Sequence, residues 1–264
     1  MNVAQLGTGT PEIAVVGGIH GDEPSGVRAV EHLLEENPTV NRPVKLIVAN
    51  ERAIEERVRY VDEDLNRAFP GDHDAETHEG RLAARLVDEL EECLVFSMHS
   101  TQSHAEPFAV VEGLDATARE ICPRLPVSAL VETGPFAGGR LFDAVDTIEV
   151  ECGMQGSETA AQNAIRLVRA FLTAVGVLHG DTVARELPVY ELVDMVPKDG
   201  ADRYEVFVDN FDRVESGDAF AAADGEPQIA QEPFYPVLMS PYGYENVFGY
   251  VAEKIDVIET SDGT

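Results

Sequence analysis

The chain has 264 residues, and its 49 acidic side chains far outnumber its 19 lysines and arginines, so the formal net charge at pH 7 is −30. A charge this negative repels phosphate backbones and anionic membrane surfaces, which argues against nucleic-acid or membrane partners. The hydrophobic share of 44% is ordinary for a folded chain, and no apolar run approaches the roughly 20 residues needed to span a bilayer.

The N-terminal segment and the cysteines indicate where such a chain would work. Residues 1–7 have neither a basic start nor the apolar stretch of a secretory signal. Cys93, Cys122 and Cys152 are isolated in the sequence, which favours a reducing compartment over a disulfide framework. We therefore expect a cytoplasmic protein.

The distribution of charge suggests adaptation to salt. Acidic residues are scattered along the whole chain, and arginine supplies nearly all of the basic minority. This surface chemistry resembles that of proteins from salt-accumulating halophiles. If the resemblance holds, stability should fall at low salt, because unscreened carboxylates repel one another.

The first two-thirds of the chain alternate apolar, β-rich runs with helical patterns. Such alternation predicts an α/β fold with a mixed sheet flanked by helices, and a site at the strand ends. The predicted strands are Glu12–Val16, Val44–Ala49, Leu94–Met98 and Asp146–Glu151; the predicted helices begin at Pro24, cover Leu82 to Leu90, and run over Glu158–Val175.

The pattern changes after about Gly180, where helical periodicity fades. Short β-like segments at Leu187–Val193, Tyr204–Val208 and Phe248–Ala252 are separated by clusters of Pro, Gly and Asp. We predict an α/β domain over residues 1–180, with the site at its strand ends, and a small β-rich C-terminal domain over residues 181–264.

The first chemical motif follows the first predicted α/β strand, in the run Gly-Gly-Ile-His-Gly-Asp-Glu that ends at Glu23. His20 and Glu23 stand three residues apart in a glycine-rich turn, so both can face one cation. The alternative is an ordinary strand-to-helix turn in which Glu23 favours the helix N-terminus. A phosphate-binding loop does not fit, because the Gly-Lys-Ser/Thr ending is missing and the acidic side chains would repel an anion.

His99 stands where the strand at Leu94–Met98 gives way to polar sequence. A lone histidine at such a position is commonly a structural residue. With His20 and Glu23, however, it would complete the two histidines and one carboxylate of a catalytic zinc shell with an open fourth position.

An irregular polar segment runs from Arg59 to Gly71. It could be a solvated loop with weak surface ion pairs. Alternatively, its arginines recognise a carboxylate, since a guanidinium offers two parallel donors. In a chain of net charge −30, arginines beside a metal cleft would form a local positive region able to hold an acidic substrate.

Glu149 and Glu151 alternate along the last strand of the first region, so both should point to one side of the sheet. A carboxylate there could serve as a general base towards water and later as an acid towards a leaving nitrogen. The alternative is an edge-strand glutamate that faces solvent.

Together these residues resemble the aspartoacylase/succinylglutamate desuccinylase family, relatives of the zinc carboxypeptidases. The resemblance covers about Ile13 to Gly153 and is weak beyond it. It depends on four motifs in order: His20-x-x-Glu23, Arg59 with Asp64-Leu65-Asn66-Arg67-x-Phe69, His99-Ser100-Thr101, and Glu151-x-Gly153.

The resemblance implies an assignment of roles. His20, Glu23 and His99 would hold one Zn²⁺ per chain, Glu151 would be the general base and then acid, and Arg59 would stabilise the oxyanion. The residues implied for substrate binding are Asn66, Arg67, Arg140 and either Tyr242 or Tyr244.

The sequence departs from the family pattern at Ser97, where members commonly have Asp two residues before the second zinc histidine. This departure puts metal affinity or substrate class in doubt, not the fold. The implied activity is zinc-dependent deacylation of a small N-acyl, acidic amino acid. The alternatives are a carboxypeptidase-like zinc hydrolase of another amide or peptide, and a metal-retaining binding domain without catalysis. Assembly into a homo-oligomer is left open.

Overall fold

A ten-stranded mixed sheet forms the centre of the protein in the computed structural model, which describes residues 1–259. Residues 260–264 of the predicted C-terminal domain lie outside the described residues. The strands of this sheet, in spatial order, are β1 (Asn2–Leu6), β3 (Val44–Val48), β2 (Ile13–Gly17), β4 (Leu94–Thr101), β7 (Thr147–Met154), β5 (Phe108–Val111), β6 (Leu130–Glu132), β8 (Leu187–Pro197), β13 (Val247–Ile258) and β12 (Tyr235–Val237).

The strand directions place the carboxyl ends of β2, β4 and β7 at one edge of the sheet. Strands β3, β2, β4 and β7 run parallel to one another, whereas β5 pairs antiparallel with β7. Strands β1, β13 and β12 make the other antiparallel pairs. The carboxyl ends of β2, β4 and β7 therefore lie side by side, and the predicted α/β fold with a mixed sheet is confirmed.

Helices cover both faces of the sheet, as expected when its central strands are apolar on both sides. They are α1 (Pro24–Glu36), α2 (Glu51–Glu56), α3 (His78–Leu90), α4 (Ala116–Ile121) and α5 (Glu158–Ala174). On one face α1, α4 and α5 pack in a single cluster with Phe96 and Val150 of the sheet. On the other face α3 packs on Val16 and Val95.

The alternation of side chains along β4 and β7 follows from these two clusters. Phe96 and Met98, like Ile148 and Val150, belong to the cluster with α1 and α5. Residues 97 and 99 of β4 and residues 149 and 151 of β7 therefore point to the opposite face. This is the face on which polar side chains collect.

The chain beyond α5 contributes to two sheets. Strands β8, β12 and β13 extend the ten-stranded sheet, and β9 (Tyr204–Val206), β10 (Ala219–Ala223) and β11 (Glu226–Ile229) form a separate three-stranded sheet. The strand content after residue 180 agrees with the β-rich pattern of the sequence. Within residues 1–259 no helix is long and apolar enough to cross a membrane.

Two glycines explain the sharp turn that follows β2. Gly18 has a φ of +73°, a conformation that residues with a Cβ adopt with strain. At Gly21 a Cβ would lie 2.1 Å from the backbone carbon of Ala53, so only glycine lets this turn approach α2. The turn carries His20 and then leads into α1, which begins at Pro24.

Candidate active site

Three side chains at the carboxyl ends of β2 and β4 form a compact cluster with the composition of a metal site. One ligand atom from each of His20, Glu23 and His99 lies within 4.8 Å of the other two, and all three residues are buried. Nδ1 of His20 is 2.8 Å from Oε1 of Glu23, and Nδ1 of His99 is 3.2 Å from Oε2 of the same carboxylate. The structure therefore brings the three predicted ligands together around one point.

The backbone holds this cluster in place. The amide of Gly21 donates to the carbonyl of Arg59, which joins the turn to the following polar segment. The amide of Ser100, directly after His99, donates to Oε2 of Glu23 at 3.0 Å. Glu23 is thus oriented by β4 as well as by its own turn.

The electrostatics of the cluster favour a negative charge on Glu23 and positive charge on the groups beside it. Burial would raise the pKa of Glu23, but the neighbouring His20 and His99 hold it well below its usual range. Burial would lower the pKa of His99, yet the charges of Glu149 and Glu23 raise it to about 9. A buried carboxylate with two imidazoles is also the donor set that a catalytic zinc ion takes, so the residues present fit that metal.

Arg59 and Asp64 form the outer wall of the cluster. Nε2 of His20 lies 3.0 Å from Oδ1 of Asp64, and Arg59 donates to Oδ2 of Asp64 at 3.1 Å and to Oε1 of Glu23 at 3.0 Å. The pKa of Asp64 is low, because the charges and hydrogen bonds of His20 and Arg59 outweigh the effect of burial. Arg59 is accordingly an ion-paired part of the site and not a residue of a solvated loop.

Glu151 lies next to His99 on the neighbouring strand. The two residues are paired in the parallel register of β4 and β7, so their side chains point the same way. Oε2 of Glu151 is buried and has no hydrogen-bond partner among residues 1–259. Burial, with the nearby charge of Glu23, raises the pKa of Glu151 to about 7. Glu151 lines the same cleft as His20, Arg59 and His99.

Glu149 is also buried, with only 3% of its surface exposed. It accepts a hydrogen bond from Nδ2 of Asn66 at 3.3 Å and lies 3.7 Å from Nη1 of Arg140. Strand β7 lies inside the sheet, between β4 and β5. The alternative of an edge-strand glutamate facing solvent is therefore wrong for this strand.

The substrate-binding candidates occupy different positions around the cleft. Asn66 and Arg140 are buried, and Oδ1 of Asn66 accepts from the amide of Leu141, which fastens the segment of Arg140 to the polar loop. Arg67 is exposed at the cleft and donates to the carbonyl of Asn66 at 2.6 Å. All three side chains line the same opening.

The structure separates the two tyrosine candidates. Tyr244 lines the cleft beside Ser240 and Gly243, and burial raises the pKa of its hydroxyl. Tyr242 is 62% exposed and packs edge-on against Tyr204, away from the cleft lining. Of the two, Tyr244 is the one that the C-terminal region brings to the site.

Two supporting residues were not assigned a role from the sequence. Asp64 was part of a motif, but its contact with His20 spans 44 positions. Glu79 is fully buried and accepts hydrogen bonds from the amides of Val61 and Asp62, so it holds the segment between Arg59 and Asp64. The sequence feature that could have indicated a role for Glu79 is its position in the first turn of α3, where a carboxylate is favoured by the helix dipole.

Comparisons with known proteins agree with the fold and the motifs. Residues 9–131 match the model of the succinylglutamate desuccinylase/aspartoacylase catalytic domain. The aspartoacylase of Xenopus tropicalis is 44% identical over 64 residues, which are 23% of this chain and 20% of that protein. The rat aspartoacylase is 46% identical over 61 residues, again 20% of its length. These sequence matches therefore span about a fifth of the curated relatives.

Solved structures resemble almost the whole chain. The ectoine utilization protein EutE (DoeB) from Ruegeria pomeroyi, in a product-bound structure, superposes with a TM-score of 0.78 at 21% identity and covers 96% of this chain and 87% of that one. Murine aminoacylase 3 gives a TM-score of 0.73 at 21% identity, with 96% and 99% coverage. At these identities the likeness concerns the fold. The domain model that matches residues 9–131, the aspartoacylase relatives and the ordered motifs support a place for the chain in the succinylglutamate desuccinylase/aspartoacylase family.

Proposed function

We propose that this chain is a zinc-dependent hydrolase that cleaves the amide bond of an N-acyl amino acid, with an acidic amino acid preferred. The observation that carries the proposal is the free, buried oxygen of Glu151 beside the cluster of His20, Glu23 and His99. A carboxylate in that position is ready to exchange a proton with a reacting molecule in the cleft.

His20, Glu23 and His99 would hold the metal, because two imidazoles and one carboxylate leave a coordination position open. A structural zinc would instead take four protein ligands, which disfavours the alternative of a metal-retaining binding domain. When bound at such a site, zinc acts as a Lewis acid and lowers the pKa of water to near neutrality.

The remaining steps belong to side chains of the chain. Oε2 of Glu151 would take a proton from water while the water oxygen forms a bond to the acyl carbon. Arg59 would stabilise the negative charge that develops on the acyl oxygen. When the carbon–nitrogen bond breaks, Glu151 would return the proton to the leaving nitrogen, so that the products are a carboxylic acid and an amino acid.

The preference for an acidic amino acid depends on charge. Arg67 and Arg140 line the same cleft in a protein of net charge −30, and a guanidinium binds a carboxylate through two parallel hydrogen bonds. Without these cations the general field of the protein would repel an anionic substrate. The names of the relatives, which include aspartoacylases and an N-acyl-aromatic-L-amino acid amidohydrolase, support amide hydrolysis but differ in the amino acid.

A hydrolysis screen in high salt tests the proposal. The zinc-loaded protein is offered N-acetyl and N-succinyl amino acids, acidic and neutral, and short peptides, and amine release is measured. We expect release from N-acyl acidic amino acids, its loss in Glu151→Gln with zinc content unchanged, and full activity in Glu253→Gln on the exposed side of β13.

Three results would contradict the proposal. Binding of much less than one zinc ion per chain would contradict the assignment of the metal site. An active Glu151→Gln protein would contradict the assignment of Glu151 as the general base. Shortened peptides as the main product would favour the carboxypeptidase-like alternative.

A further inference from the structure

The two histidines of the cluster are oriented in the same way. Each presents Nδ1 to the carboxylate of Glu23, at 2.8 Å for His20 and 3.2 Å for His99. Each turns Nε2 outwards, away from the shared point. For His20 the outer neighbour is Oδ1 of Asp64, at 3.0 Å. A carboxylate behind a ligand histidine accepts its second N–H and so keeps the other nitrogen free for the metal.

The outer neighbours of His99 are different. Its Nε2 lies 3.2 Å from Oγ of Ser97 and 3.8 Å from Oε1 of Glu149. A hydroxyl can donate or accept, so Ser97 alone does not determine which ring nitrogen carries the hydrogen. The negative charge of Glu149 determines the tautomer of His99, because it favours an N–H at Nε2. Nδ1 is then free to bind a cation.

The fold supplies this carboxylate from the neighbouring strand. Ser97 of β4 and Glu149 of β7 are direct partners in the parallel register, and their side chains point to the same face. Position 97 is where the family resemblance leads one to expect an aspartate. In this chain the short hydroxyl on β4 leaves room beside it for the longer carboxylate from β7.

Two of the substrate-binding candidates, Asn66 and Arg140, contact the carboxylate of Glu149. Asn66 donates to its Oε1 at 3.3 Å, and Arg140 lies 3.7 Å from its Oε2. These partners offset the cost of burying the charge, since a buried carboxylate is tolerated when it is paired. Glu149 thereby connects a ligand histidine with two of the substrate-binding candidates.

We propose that Glu149 is a positioning residue for the metal: from β7 it orients His99 and selects the tautomer that presents Nδ1, in place of a carboxylate at position 97. The inference rests on the metal site of the proposed function. It does not depend on which amide is cleaved.

The test measures zinc affinity, not turnover. Wild type, Glu149→Gln, the relocation variant Ser97→Asp/Glu149→Ser and the control Glu253→Gln are titrated with zinc against a chromogenic chelator in high salt. Loss of an outer partner of a ligand histidine weakens metal binding by about 10- to 100-fold, and we expect this loss in Glu149→Gln. The relocated carboxylate should restore most of the affinity, and the control should match wild type.

Relocation separates positioning from a general effect on folding. Glu149→Gln that is folded by circular dichroism and binds zinc as tightly as wild type would overturn the inference. So would a weakened Glu149→Gln that relocation does not restore. If Glu149→Gln fails to fold, the relocation variant still decides: near-wild-type affinity supports the inference, and weak binding by a folded protein refutes it. Wild type whose zinc affinity depends on Glu149 but which releases no amine would contradict the proposed function alone.

Discussion

Replacing Glu79 should loosen the segment that carries Arg59 and Asp64. The side chain of Glu79 is fully buried at the start of α3. Its Oε1 accepts from the amide of Val61 at 2.7 Å and from Nδ2 of Asn50 at 3.0 Å, and its Oε2 accepts from the amides of Asp62 and Glu63 at 3.0 and 3.3 Å. One carboxylate therefore satisfies four donors.

The magnitude follows from what Glu79→Gln can still accept. A glutamine keeps one oxygen, so one pair of donors stays bonded while the other pair meets an NH₂ group. Hydrogen bonds to a charged acceptor contribute about 1.5–3 kcal/mol each, and water relieves part of the loss in a loop, so we expect a free energy of unfolding lower by about 2–4 kcal/mol. That is a large share of a typical stability of about 5–15 kcal/mol.

Urea unfolding in high salt measures this loss, with Glu91→Gln at the exposed end of the same helix as the matched control. The control should differ from wild type by less than about 0.5 kcal/mol. Glu79→Gln should also show weaker zinc binding, because Asp64 contacts His20 from this segment. A Glu79→Gln protein as stable as its control would refute the reasoning.

The same carboxylate predicts a pH dependence. Burial would raise the pKa of Glu79, but the hydrogen bonds from Val61, Asn50, Asp62 and Glu63 lower it below the ordinary value of 4.5. A group with a lowered pKa in the fold stabilises fully above its unfolded pKa and loses that contribution as the pH falls through the folded value. The stability difference between wild type and Glu79→Gln should therefore be constant near neutral pH and shrink in acid.

Three further changes test other parts of the structure. Gly21→Ala should destabilise the chain by about 2 kcal/mol or more in urea titrations, because its Cβ would meet the Ala53 backbone at 2.1 Å; an unchanged midpoint would contradict this. Tyr244→Phe should raise the KM for the best substrate several-fold, whereas Tyr242→Phe should leave it unchanged, and equal effects would argue against the placement. Lowering salt from about 2 M to 0.1 M should reduce the thermal midpoint if the charge of −30 reflects adaptation to salt.

Sequence periodicity predicted the elements that bury one continuous apolar side. Helix α5 is apolar along one side and was predicted over Glu158–Val175; the structure has Glu158–Ala174. Strands β5 and β6 were missed, because they are four and three residues long and a short apolar run carries no period. Long strands such as β13 were only partly predicted, since alternating and exposed residues follow the buried part.

The candidate site divides in the same way. Residues near one another in the chain, such as His20 and Glu23, could be grouped from their spacing, and His99 and Glu151 from their place at strand ends. The contacts of Glu149 could not be predicted from the sequence, because they depend on the register of β4 with β7 and on Asn66, in a loop 83 residues earlier. Side chains that support others across the fold leave no local pattern.

The arginines of the cleft differ in how much charge they can offer a substrate, which the sequence could not show. Arg59 is paired with Glu23 and Asp64, and the charge of Arg140 is offset by Glu149. Arg67 forms no ion pair among residues 1–259 and donates to a carbonyl instead. A carboxylate entering the cleft would therefore be attracted mainly by Arg67, while a metal bound to Glu23 would offset its charge and leave Arg59 more positive for the developing oxyanion.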